Sequence, residues 1–117
     1  MADNLFNNAA FITLLAAGIS IILISLYALR NPPSKINNIY GYRTKRSKQS
    51  QEAWKYAQIH GTKRILNAGI IQCFIAILFL FIPQSETVGS LIAVGIIIGS
   101  LLISLSMTER DLKNKFG

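Results

Sequence analysis

Three long uncharged runs of apolar residues constrain the fold of this chain more than any other feature. They extend from Ala9 to Leu29, from Ile65 to Ile82 and from Thr87 to Met107. A helix of about 20 mostly apolar residues is long enough to cross a hydrocarbon core roughly 30 Å thick. Because lipid offers no hydrogen-bonding partners to the backbone, a span of this length satisfies its own N–H and C=O groups by being helical. The sequence therefore predicts an all-α integral membrane protein with three transmembrane helices.

The segments between the runs predict a single membrane domain. The predicted spans cover about residues 9–29, 65–82 and 87–107, with a basic connection at 30–64 and a polar tail at 108–117. Pro32 and Pro33 end the first helix because proline has no backbone N–H to donate. Only residues 83–86 separate the second and third runs. Those two helices are therefore expected to form an antiparallel hairpin.

All 12 Lys and Arg residues lie on one side of the predicted membrane. Nine lie in the first connection and three in the tail, and the N-terminal segment and the second connection have none. The positive-inside rule then predicts an external N-terminus, a cytoplasmic first connection and a cytoplasmic C-terminus. This topology explains the formal net charge of +7 without a nucleic-acid partner. A cleaved signal peptide is the alternative for the first run, but Asp3 and the lack of cations before the run disfavour it.

The first connection contains most of the chemistry of the chain, in the stretch from Asn37 to Ala57. Asn37 and Asn38 follow two prolines and favour a turn, because Asn side chains bond to their own main chain. Gly41 lies between two tyrosines and predicts a tight bend with positive φ.

A short amphipathic helix is predicted after this bend, between the first and second spans. Ser47 and Ser50 are both acceptable N-caps, and Glu52 would lie in the first turn, where the helix dipole favours a negative charge. One stripe of this helix contains Ala53, Trp54, Ala57, Gly61 and Ile65. With Trp54 at the apolar boundary, the helix is expected to lie along the cytoplasmic membrane interface.

Four cations, Arg43, Lys45, Arg46 and Lys48, occur within six residues. They could fix topology and rest on anionic lipid, at about 1 kcal/mol per cation. They could instead dock an acidic cytoplasmic protein, and nucleic acid is the least favoured partner for a loop this close to lipid. Arg43 is expected to hold a fixed guanidinium that bonds a carbonyl, a carboxylate or a lipid phosphate.

Small residues in the third span predict close helix packing. Gly95 and Gly99 have GxxxG spacing, and Ser100 and Ser104 repeat the small-xxx-small pattern. Such spacing lets two helix backbones approach closely. The contact could lie within the chain or form the seam of a homodimer.

Two amides lie in or near the second span, at Asn67 and Gln72. An amide in hydrocarbon needs a hydrogen-bonding partner from another helix. The candidate partners are Ser20, Ser25, Ser100 and Ser104.

The residue content gives no basis for an enzyme, a cofactor or a metal. The three apolar runs contain no Asp, Glu, Lys, Arg or His, so they lack the charges that pumps use. One histidine, His60, and one cysteine, Cys73, are too few for a closed metal site. His60 is expected to be an ordinary histidine at headgroup level rather than a pH sensor. We therefore expect binding rather than catalysis.

The run INNIYGYRTKRSKQSQEAWKYAQIHGTKRI resembles the shared domain of the SdpI family of bacterial membrane proteins. The matching residues are Asn37 or Asn38, Gly41, Tyr42, Arg43, Thr44, Ser47, Glu52, Trp54 and Ala57, followed by the second apolar run with Gly69. The resemblance extends over roughly residues 30–105. Two departures are Gln58, where family members often have Asn, and the greater length of the namesake, which has additional membrane helices.

The resemblance implies a multi-pass protein of the bacterial cytoplasmic (inner) membrane with a role in immunity or signalling. The family's namesake protects cells against a killing peptide secreted by their siblings. By analogy, the spans would meet a membrane-active peptide, and the GYRT loop would bind anionic lipid or dock a cytoplasmic or membrane protein partner. The implied binding residues are Asn37, Asn38, Gly41, Tyr42, Arg43, Thr44, Lys45, Arg46, Glu52, Trp54 and Ala57. A structural accessory subunit of a larger membrane complex is the alternative function, and a small transporter is the third.

Overall fold

The computed structural model describes residues 7–117, and these form three long helices. Helix α1 is Ala9–Arg30. The second long helix consists of α2 (Gln51–Tyr56), a π-helical segment (Ala57–Gly61) and α3 (Thr62–Phe79), and the third is α4 (Glu86–Phe116). All three are long and apolar enough to cross a membrane, and residues 7–117 contain no strand. The predicted all-α fold with three membrane-spanning helices is confirmed.

Polar residues cap the start of each long helix. Asn8 accepts the N–H of Phe11 at 3.0 Å, and Ser50 accepts the N–H of Ala53 at 3.1 Å. Ser85 does the same at the start of α4, where its Oγ accepts a backbone N–H at 3.2 Å. Each cap satisfies one of the N–H groups that a helix leaves unpaired in its first turn.

The three helices run antiparallel to their neighbours in the sequence. Asn8 at the start of α1 donates to the carbonyl oxygen of Phe79 at the end of α3, at 2.9 Å. Near the other end, Arg64 at the start of α3 donates to Thr108 in α4 at 3.2 Å. We call this second end the basic end, because α1 ends there at Arg30, Arg64 lies there near the start of α3, and the last turns of α4 bring three more cations there. The segment 31–50, which we call the basic loop, folds at the same end.

The tightest contact between spans is made by two glycines, Gly18 in α1 and Gly69 in α3. A Cβ on Gly18 would lie 2.6 Å from Cys73 Sγ and 2.8 Å from the Gly69 carbonyl oxygen. A Cβ on Gly69 would lie 3.0 Å from the Gly18 carbonyl oxygen. The two backbones therefore touch, as small residues permit in membrane helices. Nearer the start of α1, the three long helices share a cluster of buried apolar residues, which are Ala10, Leu14, Ala76, Phe79 and Ala93.

Large apolar side chains cover the outside of the bundle. Leu23, Ile24, Phe74 and Leu91 are each exposed over more than 60% of their surface. A soluble protein rarely exposes so continuous an apolar surface, whereas hydrocarbon solvates it well. The outer surface is therefore suited to a bilayer.

Three boundaries differ from the sequence-based expectation. The helix expected to lie along the interface is present from Gln51, but it continues without a break into the second span. The tail expected at 108–117 is helical as far as Phe116, because Thr108 and Leu112 are buried against the second helix. The second span also ends earlier than expected, at Phe79 rather than at residue 82.

Candidate functional site

A reciprocal hydrogen-bonded pair fastens the basic loop to the second helix. Gln58 Oε1 accepts the backbone N–H of Tyr42 at 2.7 Å, and Gln58 Nε2 donates to the Tyr42 carbonyl oxygen at 2.7 Å. Gln58 is only 3% exposed, so the side-chain amide satisfies two backbone groups that water does not reach. Gln58 belongs to the π segment, a type of helix irregularity that is frequent at functional sites.

Gly41 is the residue that lets the loop approach this closely. Its φ is +100°, in the region that favours glycine, and a Cβ would lie 2.4 Å from Gln58 Oε1 and 2.7 Å from Pro33 Cγ. The tight bend therefore occurs where the sequence predicts it. Any side chain at this position would push the loop away from the helix.

The ring of Tyr42 is buried between the second helix and α4. A Cβ on Gly61 would lie 2.8 Å from the Tyr42 ring, and the Tyr42 hydroxyl donates to the Leu105 carbonyl oxygen at 3.4 Å. Burial raises the pKa of Tyr42 far above its usual range, and the nearby Glu109 carboxylate adds to this effect. Tyr42 is therefore a neutral side chain that joins three segments.

Thr44 connects the loop to α4 directly. Its hydroxyl donates to Glu109 Oε2 at 3.1 Å, and its backbone N–H donates to Ser47 Oγ at 2.7 Å. Ser47 is fully buried and donates in turn to the Thr44 carbonyl oxygen at 2.9 Å. The RTKRS turn is thus held rigidly against the last turns of α4.

Trp54 is a packed residue and not an anchor in the membrane interface. It is fully buried, and its indole Nε1 donates to the Pro33 carbonyl oxygen at 2.7 Å. The neighbouring Ala53 and Ala57 are also fully buried, in a cluster with Leu112 of α4. The predicted apolar stripe therefore faces the protein, and Glu52 lies exposed on the opposite side.

An ion pair joins the start of α3 to the end of α4. Arg64 Nη2 lies 2.5 Å from Asp111 Oδ2, and the Tyr56 hydroxyl donates to the same oxygen at 3.3 Å. The hydrogen bond from Arg64 holds the pKa of Asp111 below its usual value. The Tyr56 ring also packs against His60, with ring centroids 4.3 Å apart, and lies under the Lys115 ammonium. These contacts explain why the polar tail is an ordered helix.

The loop cations project from this fixed base. Arg43 donates to the backbone carbonyl oxygen of Asn38, which is one of the three kinds of acceptor expected for it. Lys48 donates to Asn38 Oδ1 at 3.1 Å. Asn37 Oδ1 accepts two backbone N–H groups, including that of Tyr40 at 2.8 Å, and so forms the expected turn. Lys45 is exposed and Arg46 is half-buried.

Some of the predicted packing residues are buried between helices, and others are exposed. Gln72 is fully buried and donates to Ser100 Oγ at 2.8 Å, and Ser104 Oγ donates to the Arg64 carbonyl oxygen at 3.4 Å. Asn67 is exposed. A Cβ on Gly95 or on Gly99 would meet nothing within 4 Å, so the GxxxG face is not used for packing within residues 7–117.

Sequence reasoning did not select several residues that build this site. Their contacts join positions far apart in the chain, such as Thr44 with Glu109 and Arg64 with Asp111. A signal was available for Ser47, which is one of the residues that carry the family resemblance, and for Gln58, which stands where members of the resembled family often have Asn. The unselected residues are Ser47, Gln58, Arg64, Thr108, Glu109 and Asp111.

Comparison with known proteins agrees with the resemblance of the GYRT segment. A model described as the SdpI/YfhL protein family matches residues 34–106. The chain is also similar to the uncharacterized protein YfhL of Bacillus subtilis (strain 168), with 33% identity over 92 residues, 79% of this chain and 74% of that protein. No solved structure matches the chain. The matched range includes most of the basic loop, the π segment with Gln58, all of α3 and most of α4, and on this basis the chain belongs to the SdpI/YfhL family of membrane proteins.

Proposed function

We propose that the protein is an SdpI-like immunity and signalling protein of the bacterial cytoplasmic membrane. Its exposed helix faces meet a membrane-active peptide, and its basic loop docks an acidic cytoplasmic partner. The proposal is one of binding rather than catalysis. Family membership supports the general role. The single observation that supports the specific role is the attachment of the basic loop to the second helix and to α4.

The attachment supports signalling because it joins the membrane-embedded and the water-exposed parts of the molecule. Tyr42 is bonded to Gln58 of the second helix, and Thr44 is bonded to Glu109 of α4. A ligand that changes how these two helices pack must therefore change the position of the loop. A loop that served only as a topology signal would need no such bonds, because the charges alone orient the spans.

The distribution of charge supports an orientation with the basic end in the cytoplasm. Contacts such as that of Thr44 with Glu109 bring the basic loop and the last turns of α4 to the same end of the bundle. All 12 cations of the chain lie in these two regions, at the end of α1 and in the second helix up to Arg64. The positive-inside rule then favours an external N-terminus and a cytoplasmic C-terminus.

A capture experiment tests the docking step. The C-terminally tagged protein is purified from native membranes in mild detergent, together with the Lys45→Gln/Arg46→Gln variant. The Lys55→Gln/Lys63→Gln variant is the matched control, since it loses the same charge at exposed positions on the second helix. We expect an acidic protein to be captured by the wild type and the control and to be at least tenfold depleted with the loop variant. Equal capture by all three proteins would refute docking through the loop.

A killing assay tests the immunity step separately. Deletion of the gene is expected to sensitise cells to a peptide secreted by sister cells, and the wild-type gene should restore protection. Unchanged survival of the deletion strain in mixed culture with the secreting cells would refute protection.

The second candidate function, an accessory subunit of a larger membrane complex, is favoured by the open face at Gly95 and Gly99. Apart from the adjoining residues and backbone of α4 itself, no atom of the described chain lies within 4 Å of a Cβ at either position, so another membrane helix could approach the backbone there. A stoichiometric membrane partner that is lost from Gly95→Leu/Gly99→Leu, but not from the loop variant, would support this function.

A further inference from the structure

One side of the basic loop has the chemistry of a lipid-headgroup site. Two cations there are held by a single residue, since Asn38 accepts from Arg43 with its backbone oxygen and from Lys48 with its side-chain oxygen. Two like charges held side by side repel each other, and an anion between them relieves that repulsion. A guanidinium has five N–H donors and an ammonium three, so each retains donors beyond its bond to Asn38.

An exposed apolar side chain directly follows Asn38, the residue to which both cations are bonded. Ile39 is 87% exposed, the highest value among large apolar side chains in residues 7–117. Its position is fixed, because Asn37 Oδ1 accepts the Ile39 N–H at 2.9 Å. A rigid turn that presents an isoleucine to its surroundings is costly in water and favourable in the apolar part of a lipid layer.

The loop lies at the depth where such a lipid layer has its headgroups. The ring of Tyr40 packs edge-on against Tyr27, with centroids 6.2 Å apart, and its hydroxyl donates to the Asn31 carbonyl oxygen at 2.9 Å. Tyr27 belongs to the last turn of α1, and Tyr side chains favour the boundary between headgroups and hydrocarbon. The turn is therefore tied to the point where the first span leaves the membrane.

We propose that Arg43 and Lys48 bind the phosphate of an anionic membrane lipid and that Ile39 inserts among its acyl chains. This site uses cations of the basic loop other than Lys45 and Arg46, the two residues substituted in the docking test, and it goes beyond the proposed function. Arg43 supplies a planar fork that matches a phosphate, and Lys48 supplies a second charge.

Lipid binding to the purified full-length protein tests the proposal. Native mass spectrometry in detergent measures binding of phosphatidylglycerol and of phosphatidylcholine to the wild type, to Arg43→Gln/Lys48→Gln and to Lys45→Gln/Arg46→Gln. All four side chains are outside the buried core, and circular dichroism checks that the variants remain helical. Loss of the two cations in direct contact with the bound phosphate weakens binding of an anionic lipid by roughly thirtyfold. We expect that loss for Arg43→Gln/Lys48→Gln and less than about a threefold change for the matched control.

Two further measurements distinguish a membrane lipid from free phosphate as the occupant of the site. Ile39→Ser is expected to weaken phosphatidylglycerol binding several-fold, because the acyl contact is lost. Inorganic phosphate at millimolar concentration is expected not to displace the lipid. Equal losses in the two double variants would overturn the site. An unchanged affinity in Ile39→Ser, or displacement by inorganic phosphate, would overturn the lipid as its occupant. Loss of partner capture would leave these lipid measurements unchanged, so the two proposals fail separately.

Discussion

Polar side chains hold the basic end of the protein together, whereas small side chains hold together its membrane-spanning middle. At the basic end, Gln58 pairs with the backbone of Tyr42, and Arg64 pairs with Asp111. In the middle, the backbones of α1 and α3 touch at Gly18 and Gly69. The hydrogen bonds and the ion pair at the basic end can each be removed by a separate substitution. The contact between the α1 and α3 backbones is instead disrupted by any side chain added at one of the two glycines. The difference predicts which substitutions each region tolerates.

The largest expected effect is steric and lies in the middle of the bundle. Gly18→Leu would place side-chain atoms against the Gly69 carbonyl oxygen and Cys73, and we expect the free energy of unfolding to fall by about 3 kcal/mol. Gly95→Leu is the matched control, since a Cβ there meets nothing within 4 Å, and it should change stability by less than about 0.5 kcal/mol. Chemical unfolding in detergent measures both. Equal losses would mean that the two glycines have similar surroundings.

The next effect is at the basic end and concerns the reciprocal pair. Gln58→Ala leaves the buried N–H and C=O of Tyr42 without their partner, and we expect a loss of about 2–3 kcal/mol. Hydrogen exchange of the Tyr42 amide should accelerate at the same time. Gln51→Ala removes a hydrogen bond from an exposed amide of the same helix and should cost less than about 1 kcal/mol. Unchanged protection of the Tyr42 amide in Gln58→Ala would contradict the pairing.

A smaller effect depends on pH and concerns the ion pair. Arg64 holds the pKa of Asp111 below the unfolded value of 3.8, so the pair stabilises the fold above that pH and the contribution disappears as pH falls through the folded pKa. Because both side chains are partly exposed, we expect about 0.2–1 kcal/mol at neutral pH. Asp111→Asn should therefore be less stable than the wild type at pH 7, and the difference should shrink as the pH falls below 3.8. A difference that is constant from pH 7 to pH 3 would show that the charge is not responsible.

The smallest effect is expected for a polar group in the middle of the bundle. Gln72 donates to Ser100, but its own Oε1 is buried and accepts no hydrogen bond within the described residues. Gln72→Leu loses a bond of about 0.6 kcal/mol and removes an unpaired carbonyl, so stability should be unchanged or slightly increased. The same unfolding measurement applies. A loss above about 2 kcal/mol would indicate that the oxygen has a strong partner in the membrane.

The sequence predicted the spans, the bend and the helix start because their signals are local. Uncharged length marks the spans, Gly41 marks the bend, and Ser50 with Glu52 marks the start of the second helix. These features depend on the residues themselves and their near neighbours. They were therefore accessible before any tertiary contact was known.

The sequence could not predict how the basic end packs, because that depends on contacts between distant residues. The helical tail requires Thr108 and Leu112 to be buried against the second helix. Trp54 resembled a membrane anchor by composition, but its indole bonds to Pro33 in the folded loop. Which glycines pack is also a tertiary property, since Gly18 is in contact while the GxxxG pair is not.

Helix α4 is long and unbroken, so a change in its tilt moves its two ends in opposite directions. It has 31 residues and is about 46 Å long at 1.5 Å per residue, well beyond the roughly 30 Å hydrocarbon core. Pivoting such a rod by about 10° around its centre displaces each tip by about 4 Å. Glu109 lies about 12 Å from the centre and moves by about 2 Å, which would stretch its 3.1 Å hydrogen bond with Thr44 beyond the normal range. A small tilt of α4 would thus be enough to break this link between the loop and the helix.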